Sequence, residues 1–320
     1  MKIFITGAFG NVGSHLLEEL KDKNYDIKCF GLKNRKSKKI ANKYKHSIHV
    51  FWGDIRKKED IRTAITDDID IVIHLAAILP PRSDKEPQYA KEVNIDGLKN
   101  LIQVLKKQTD PPKIFFPSSV AVYGDVRAEE PPILCTTDAV NPNEHEEYAK
   151  QKVKGEAIIK RSGLDWAIFR FGYIPALDNL KFDPLMYEVP LDTNMEFIHV
   201  KDVARAIANG LKTPELWNKT LLVAGGVNCR ATYKEFMREM LNTFGIGSLP
   251  DNAFGNKPFH CGFMNTKESQ RLLNYQNHTF EDILNELKAK TKIIRFFARI
   301  FRPIIRWYLL KQSPYYHNSD

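Results

Sequence analysis

Residues 2–13 read KIFITGAFGNVG, and this stretch decides the fold. A short apolar run typical of a buried strand leads into a turn, and a helical pattern begins directly after the turn. Glycines at every third position permit a tight turn, close approach of the backbone to a pyrophosphate, and close helix–strand packing. Free N–H groups at the start of the helix would receive the phosphates. The residues expected to bind a dinucleotide here are Gly7, Phe9, Gly10, Asn11, Val12 and Gly13.

Strand and helix patterns alternate along the first half of the chain. This alternation predicts an α/β fold, a Rossmann-like doubly wound parallel sheet with helices on both faces. The predicted strands are Lys2–Thr6, Asp26–Leu32, Ile48–Trp52, Ile69–Ala76, Lys113–Ser118, Trp166–Phe171, Phe197–Val200 and Leu221–Val223. The predicted helices are Asn11–Lys21, Asn94–Lys106, Tyr148–Lys160 and Asp202–Lys212.

The same alternation predicts how the chain divides. Residues 1–175 are expected to form the dinucleotide-binding domain, and 197–225 to return to it. Residues 176–196 and 226–290 break the alternation, so we expect a small C-terminal substrate-binding cap over the carboxyl edge of the sheet, where open α/β sheets bind ligands. Residues 291–320 remain as a basic amphipathic helical tail.

Two further stretches belong to the expected cofactor site. Asp54 follows the third predicted strand, where a carboxylate can accept a hydrogen bond from an adenine amino group; the alternative is that it caps the helix over 56–65. Small residues after the fourth strand would let the chain pass close to a ribose. The residues expected to touch the cofactor here are Asp54, Ile55, Leu75, Ala76 and Ala77.

The end of the second strand bears on the choice between NAD and NADP. A carboxylate at that position would bind the ribose 2′-hydroxyl of NAD. The sequence has no acid there, and Lys33 and Arg35 favour a 2′-phosphate. NADP is therefore the predicted cofactor and NAD the alternative. A solvated, disordered basic loop over 33–45 is the other interpretation of these charges.

Tyr148 and Lys152 lie one helical turn apart in the segment YAKQK, so their side chains share a face. An ammonium group beside a phenol lowers the pKa of the phenol, which can then exchange a proton with a hydroxyl or carbonyl near neutral pH. Ser118 and Ser119 stand at the end of the fifth strand, and a serine hydroxyl there can hydrogen-bond a substrate oxygen beside the tyrosine. The carboxyl ends of parallel strands converge on one crevice, so we expect these groups to meet there.

These motifs resemble those of the extended short-chain dehydrogenase/reductase superfamily, in its NAD-dependent epimerase/dehydratase branch. The similar segments are TGAFGNVG (6–13), GDI (53–55), HLAA (74–77), VNIDGLKNLI (93–102), SSVAVYG (118–124), YAKQK (148–152), RFGYIP (170–175) and FIHVKDVARAI (197–207). The resemblance implies that Ser119 orients the substrate oxygen and that Tyr148 is the acid/base. It implies that Lys152 lowers the pKa of Tyr148 and holds the nicotinamide ribose, with Asn94 supporting the site as a fourth catalytic residue.

The main functional prediction is an NAD(P)-dependent oxidoreductase acting on a carbonyl or secondary alcohol. A nucleotide-sugar epimerase or dehydratase that holds its cofactor tightly is the first alternative, and a non-catalytic dinucleotide-binding scaffold or redox sensor is the second. Residues 176–196 form a shorter segment than in nucleotide-sugar enzymes of the family and hold one cation, Lys181. This favours a smaller or more apolar substrate, walled by residues 182–187.

The net charge of +9 is concentrated in two segments, 33–45 and 288–320, each of which carries +7 and leaves −5 for the rest. A diffusely basic body is missing, so we expect a small-molecule substrate and no nucleic-acid partner. The four cysteines form no C-x-x-C pair, which predicts reduced thiols of a cytoplasmic protein and no metal site. Assembly into a homodimer is left open.

Residues 291–311 read TKIIRFFARIFRPIIRWYLLK. On a helix the basic residues, at 292, 295, 299, 302 and 306, form one stripe and the rest of the surface is apolar. This pattern is typical of a helix in a membrane interface with its cations toward anionic headgroups, which would place the protein peripherally on the inner membrane face. Pro303 should divide the tail into two short helices. The alternative is a helix packed on the protein's own body or on a partner subunit.

Overall fold

The computed structural model describes residues 1–66, 68–128, 133–177 and 182–316. Within these ranges the strands are β1 (Lys2–Thr6), β2 (Asp26–Gly31), β3 (His49–Trp52), β4 (Ile71–His74), β5 (Lys113–Ser119), β6 (Ile133–Leu134), β7 (Trp166–Phe171), β8 (Asn194–Glu196), β9 (Lys219–Val223), β10 (Arg230–Thr232) and β11 (Phe263–Met264). The helices are α1 (Asn11–Leu20), α2 (Arg35–Lys43), α3 (Lys58–Ala64), α4 (Arg82–Lys85), α5 (Pro87–Lys91), α6 (Gly97–Leu105), α7 (Glu147–Lys160), α8 (Val200–Gly210), α9 (Tyr233–Thr243), α10 (Lys267–Leu273), α11 (Phe280–Lys290), α12 (Lys292–Ile300) and α13 (Arg302–Gln312).

Seven of these strands form one parallel sheet in the order β3-β2-β1-β4-β5-β7-β9. The chain runs outward from β1 to β3, returns to β4 beside β1, and continues to the other edge. This reversal is the doubly wound arrangement, and it opens a crevice at the carboxyl ends of β1 and β4. The predicted fold class is confirmed.

Helices cover both faces of this sheet. Apolar side chains of α1 and α8 pack on one face, and those of α3, α6 and α7 pack on the other. Ile3, Phe4 and Ile5 in β1 are all fully buried, so successive residues of that strand find apolar partners on opposite faces. Such continuous apolar runs are expected of strands covered on both sides.

A second apolar core lies beyond the sheet's carboxyl edge. Two short strand pairs frame it, β8 with β10 antiparallel and β6 with β11 parallel. Helices α9 and α11 contribute apolar side chains to this core, as do Ala298 and Leu309 from the C-terminal helices. The last two helices therefore pack against the same core as the region predicted to be a cap.

Three local predictions differ from the structure. Residues 33–45 are not a disordered loop, because Asn34 accepts a hydrogen bond from the N–H of Ser37 and begins α2. Residues 197–200 are not a strand, because His199 caps α8 by accepting from the N–H of Lys201. The helix predicted from residue 94 begins regularly only at Gly97, after a π-helical turn over Glu92–Asp96.

The C-terminal helices divide where the sequence predicted. α12 ends at Ile300, and α13 begins at Arg302 with Pro303 in its first turn. A proline is tolerated there because the first N–H groups of a helix have no partner within the helix. Among the described residues, no helix is long and apolar enough to cross a membrane.

Candidate active site

The glycine turn after β1 is built for close approach of backbone. Gly7 has φ of +69°, and a Cβ there would come within 2.6 Å of the nitrogen of Ala76. A Cβ on Gly13 would come within 2.5 Å of the carbonyl oxygen of Gly7. Gly10 occupies the N-cap position of α1 and has no side chain to accept from the first turn. The N–H groups at the start of α1 are thus left for an anionic ligand, which fits the pyrophosphate of a dinucleotide.

The ring of Phe9 packs beneath the ends of the neighbouring strands. It is almost fully buried, with its centroid 5.3 Å from that of Trp52, and it faces Gly31 at the end of β2. Asn11 and Val12 stay partly exposed in the first turn of α1. Phe9 therefore shapes the floor of the predicted cofactor crevice through packing, while Asn11 and Val12 remain accessible to a ligand.

Asp54 does not cap a helix. Its carboxylate accepts from Arg56 through both oxygens, at 2.6 to 3.1 Å, and hydrogen bonding with Arg56 lowers the pKa of the carboxyl. The helix that follows begins at Lys58, so the capping alternative is wrong. A carboxylate has about four lone-pair sites, so a further hydrogen bond from an adenine amino group is compatible with this pairing. Ile55 is buried against Gly97 of α6, which leaves only its backbone for a cofactor.

Lys33 and Arg35 flank the capping residue at the start of α2, and both side chains are exposed. In the described part of the chain neither is held by a carboxylate, whereas Lys43 at the far end of α2 pairs with Glu18. An unpaired cation at the end of β2 can meet an added phosphate. The structure brings these two residues to the predicted position.

His74 at the end of β4 belongs to the packing of the site. It is 2% exposed, and burial lowers its pKa to about 3, with the positive charge of Lys152 adding to the effect. The hydroxyl of Thr6 accepts from the N–H of Ala76 at 3.2 Å and lies 2.8 Å from Nδ1 of the neutral ring. These contacts fix Leu75, Ala76 and Ala77 beside the glycine turn.

The structure brings Ser119 and Tyr148 together. Ser119 ends β5, and Tyr148 lies in the first turn of α7. Burial raises the pKa of Tyr148 above its usual value, and hydrogen bonding with Ser119 opposes that rise. The sequence predicted instead that Lys152 lowers this pKa. In the structure, burial has the larger effect on the pKa of Tyr148, and the group that opposes it is Ser119.

Lys152 is 7% exposed and holds the strand that carries Ser119. Its Nζ donates to the carbonyl oxygen of Pro117 at 2.6 Å and lies 5.5 Å from the ring centroid of Tyr148. Burial lowers the pKa of Lys152 to about 8, and the charge of Glu156 opposes this. The lysine is therefore mostly protonated at pH 7 and places a positive charge beside the tyrosine.

A buried cluster of charged and polar side chains lies below Lys152, and the sequence did not predict it. Glu156 accepts from both Nε and Nη2 of Arg170, at 2.9 and 2.7 Å, and from the hydroxyl of Ser118 at 2.6 Å. Arg170 also donates to the hydroxyl of Tyr123. Burial would raise the pKa of Glu156, but the pairing with Arg170 outweighs it and the pKa is lowered. The spacing of Lys152 and Glu156, four residues apart on a helix, gave no signal of this cluster because it is also the usual spacing of an exposed ion pair.

Asn94 does not contact the tyrosine or the lysine directly. Its side chain exchanges two hydrogen bonds with the backbone of Ile78, at 2.8 and 3.0 Å, and donates to Oε1 of Gln151 at 2.7 Å. Asn94 lies in the π-helical turn before α6, and such turns are frequent at functional sites. It acts as a positioning residue that links the loop after β4 to α7.

An acidic group next to the start of α7 was also missed. Asp84 accepts from the backbone N–H of Tyr148, and burial raises the pKa of Asp84. Glu146 is buried and lies 2.5 Å from Nδ1 of His260. No motif joins these residues in sequence, since His260 comes from the second core. Within the described residues, no group of three or more His, Cys, Asp or Glu side chains could hold a metal ion.

The predicted substrate wall at 182–187 is only partly accessible. Tyr187 is buried and its hydroxyl donates to the carbonyl oxygen of Leu309, so it anchors the tail. Phe182 is exposed and packs against Phe244. Lys181, the single cation predicted near this wall, lies outside the described residues.

More than half of the chain matches a known protein family. A family model described as the NAD dependent epimerase/dehydratase family matches residues 3–175. The chain belongs to this family. The family membership predicted from the motifs is therefore confirmed, and the family is one of NAD-dependent enzymes.

Two curated relatives show the range of the family. A D-erythronate dehydrogenase of Cupriavidus necator is 30% identical over 127 residues, 38% of either chain. A UDP-glucose 4-epimerase of Mycoplasma genitalium is 26% identical over 176 residues, 53% of this chain and 52% of the relative. The matched stretches thus span about half, or less, of the length of these relatives.

The fold also resembles that of solved enzymes. The UDP-glucuronic acid 4-epimerase from Bacillus cereus, in complex with UDP-glucuronic acid and NAD, superimposes with a TM-score of 0.75. The match covers 92% of this chain and 100% of that one at 20% identity. At this identity the likeness shows the fold alone.

Proposed function

We propose that this enzyme interconverts a nucleotide-linked sugar by oxidising a secondary hydroxyl and reducing the resulting ketone, with a nicotinamide cofactor that it retains through the cycle. The observation that carries the proposal is the convergence of Ser119, Tyr148 and Lys152 at the carboxyl end of β5. Support for the substrate class comes from the family and from its nucleotide-sugar epimerases. This favours the first alternative from the sequence over a general carbonyl reductase.

Each of the three residues has a distinct task in the proposal. Ser119 accepts or donates a hydrogen bond at the substrate oxygen and fixes it next to Tyr148. The phenolate of Tyr148 takes the hydroxyl proton as the alcohol becomes a ketone, and the phenol returns that proton on reduction. The positive charge of Lys152 stabilises the phenolate. When bound, the nicotinamide supplies acceptance and return of a hydride.

The cofactor itself would be held by the glycine turn and its neighbours. The first turn of α1 would bind the pyrophosphate, Asp54 the adenine, and Lys152 the nicotinamide ribose. We further propose that Lys33 and Arg35 bind a 2′-phosphate, which would make NADP the preferred cofactor. The relative from Bacillus cereus is in complex with NAD. The proposed preference for NADP therefore rests on Lys33 and Arg35 alone.

We also propose that residues 176–196 and 226–290 act as the substrate-binding cap, with 1–175 and 197–225 as the dinucleotide-binding domain. Strand β9 supports the return of 197–225, because it forms one edge of the main sheet. Pairing of β8 with β10 outside that sheet supports a separate cap.

A second candidate is a dehydrogenase that exchanges its cofactor and acts on a smaller alcohol. Two arginines near the cap are committed to carboxylates: Arg127 to Asp125 and Asp192, and Arg230 to Glu196. Neither offers its full charge to a diphosphate. The relative named D-erythronate dehydrogenase shows that the family includes enzymes named for a small acid.

One experiment separates the two candidates. The protein is purified without added cofactor and denatured, and the released nucleotide is identified by mass. It is then incubated with UDP-hexoses, and the sugar ring is followed by NMR. We expect retained NAD or NADP and a new sugar epimer without net formation of reduced cofactor. An empty site, with turnover only when cofactor is supplied and consumed, would support the second candidate instead.

A further inference from the structure

Two arginines of the basic stripe of the tail, Arg302 and Arg306, bind the body of the protein. Nε of Arg302 donates to the carbonyl oxygen of Ile246 at 2.9 Å, and Nη1 of Arg306 donates to that of Gly247 at 3.0 Å and to that of Ser248. These carbonyls lie in the loop that follows α9. The predicted orientation, with the whole stripe toward headgroups, is therefore wrong.

Further contacts hold the same side of the tail to the second core. The hydroxyl of Tyr187 donates to the carbonyl oxygen of Leu309, and that of Ser313 donates to the carbonyl oxygen of Ala253, both at 2.6 Å. Ala298 is buried in that core. The side of α12 and α13 that faces the body is thus occupied by contacts with the second core.

The opposite side of the two helices, here called the tail face, is apolar and exposed. Its large side chains are 49% to 74% exposed. They are Ile293, Ile294, Phe296, Phe297, Ile300, Phe301, Ile304, Trp307 and Tyr308. Such side chains together present on the order of 1,000 Å² of surface, more than the roughly 300–600 Å² of the largest apolar patch on an ordinary monomer.

The charge around the tail face has one sign. Residues 288–316 contain eight Lys and Arg and no Asp or Glu. Lys292, Arg299 and Lys311 are exposed at the sides of the two helices. Trp307 and Tyr308 add rings of the kind that favour the boundary between lipid and water. An apolar face on a segment whose own charges are all positive is complementary to an anionic lipid surface.

We propose that α12 and α13 bind the protein to an anionic bilayer, with the tail face in the acyl boundary and the bordering cations at the headgroups. The helices have nine and eleven residues, so neither can span a bilayer, for which about 20 residues are needed. A second copy is a poorer occupant. An isologous dimer would bring two identical cationic borders together, without an acid in the segment to pair with them.

The test uses the full chain, because deleting the tail would also remove Ala298 and Leu309 from the second core. Vesicles of equal parts phosphatidylcholine and phosphatidylglycerol are floated with the wild type and with a triple variant, Phe296→Gln, Ile300→Gln and Ile304→Gln. These side chains are exposed, so folding should be unaffected. We expect the triple substitution to lower the bound fraction at least about tenfold.

Val227→Gln is the matched control, since Val227 is 75% exposed outside the tail. It should bind vesicles like the wild type. Binding should weaken with added salt and on pure phosphatidylcholine, because part of the attraction is electrostatic. Unimpaired flotation of the triple variant overturns the proposal. The proposal is also overturned if the wild type does not bind vesicles and light scattering shows that it is a dimer that the triple substitution converts to a monomer.

Trp307 gives a second readout in the same samples. It is 60% exposed, whereas Trp52, Trp166 and Trp217 are at least partly buried. Vesicles should shift its emission to the blue, and brominated lipid should quench it. Trp307→Phe should remove most of this response. If the emission spectrum of the wild type did not change on binding to vesicles, insertion of the tail face would be contradicted.

Discussion

The ammonium group of Lys152 donates a 2.6 Å hydrogen bond to the carbonyl oxygen of Pro117. Pro117 lies in β5 two residues before Ser119, and Lys152 lies one helical turn after Tyr148. This one bond therefore ties the strand that carries the serine to the helix that carries the tyrosine. Its cost is a buried positive charge, which makes the site sensitive to pH.

Lys152 should impose a pH dependence on stability. Its pKa is about 8 in the folded protein and about 10.5 when exposed. Between these values the unfolded chain binds more protons, so the free energy of unfolding should rise with pH. Across this window the free energy of unfolding of the wild type should rise on the order of 3 kcal/mol more than that of Lys152→Met. Urea unfolding without cofactor measures the difference. Lys150→Met is the control, because Lys150 lies on the same helix but is partly exposed, and its free energy of unfolding should depend on pH as that of the wild type does. If the free energies of Lys152→Met and of the wild type changed with pH in parallel, the lowered pKa of Lys152 would be contradicted.

Tyr148→Phe removes one hydroxyl and leaves the ring. If the hydroxyl transfers the proton, kcat should fall about 10²- to 10⁴-fold while cofactor affinity stays close to that of the wild type. Turnover of the substrate found by NMR and cofactor titration by fluorescence measure the two effects. Tyr89→Phe is the control, because the ring of Tyr89 packs against Arg56 and Arg82 and keeps that contact without its hydroxyl. Near-normal turnover by Tyr148→Phe would exclude the proposed acid/base.

The parts of the site that the sequence predicted are those fixed by local rules. Gly7 and Gly13 were recognisable because a glycine turn between strand and helix admits few other residues. Ser119, Tyr148 and Lys152 were recognisable through family-like spacing. The parallel, doubly wound sheet was recognisable from the alternation of strands and helices.

The parts that escaped prediction depend on tertiary contacts. Helical periodicity shows that the tail has two faces but not which one packs, and Arg306 turned inward because the carbonyls of 246–248 lie beneath it. Glu156 gave no signal in the sequence because its ionic partner, Arg170, comes from β7. His260 meets Glu146 only because the second core folds back over α7.

Asn94 should act through Gln151. Asn94→Ala removes hydrogen bonds to Ile78 and Gln151, and each lost bond to a buried partner costs about 1–3 kcal/mol. We expect lower stability and lower kcat, with KM changed less. In a double-mutant cycle, Gln151→Ala should add little to Asn94→Ala in kcat, because both break the same link. Additive losses of kcat would mean that Asn94 contributes in another way.

Lys33 and Arg35 should decide between the two dinucleotides. Both are exposed at the end of β2, with no acid at that position to bind a ribose 2′-hydroxyl. Charge-assisted hydrogen bonds contribute about 1.5–3 kcal/mol each, so the double substitution to Ala should weaken NADPH binding at least about tenfold and change NADH binding little. Lys38→Ala with Lys39→Ala removes the same amount of charge, further along α2, and should leave NADPH binding nearly unchanged. Added salt should weaken binding of NADPH more than of NADH, since screening acts on the extra phosphate. Equal affinities for the two cofactors in the wild type and in the double variant would contradict the proposed preference for NADP.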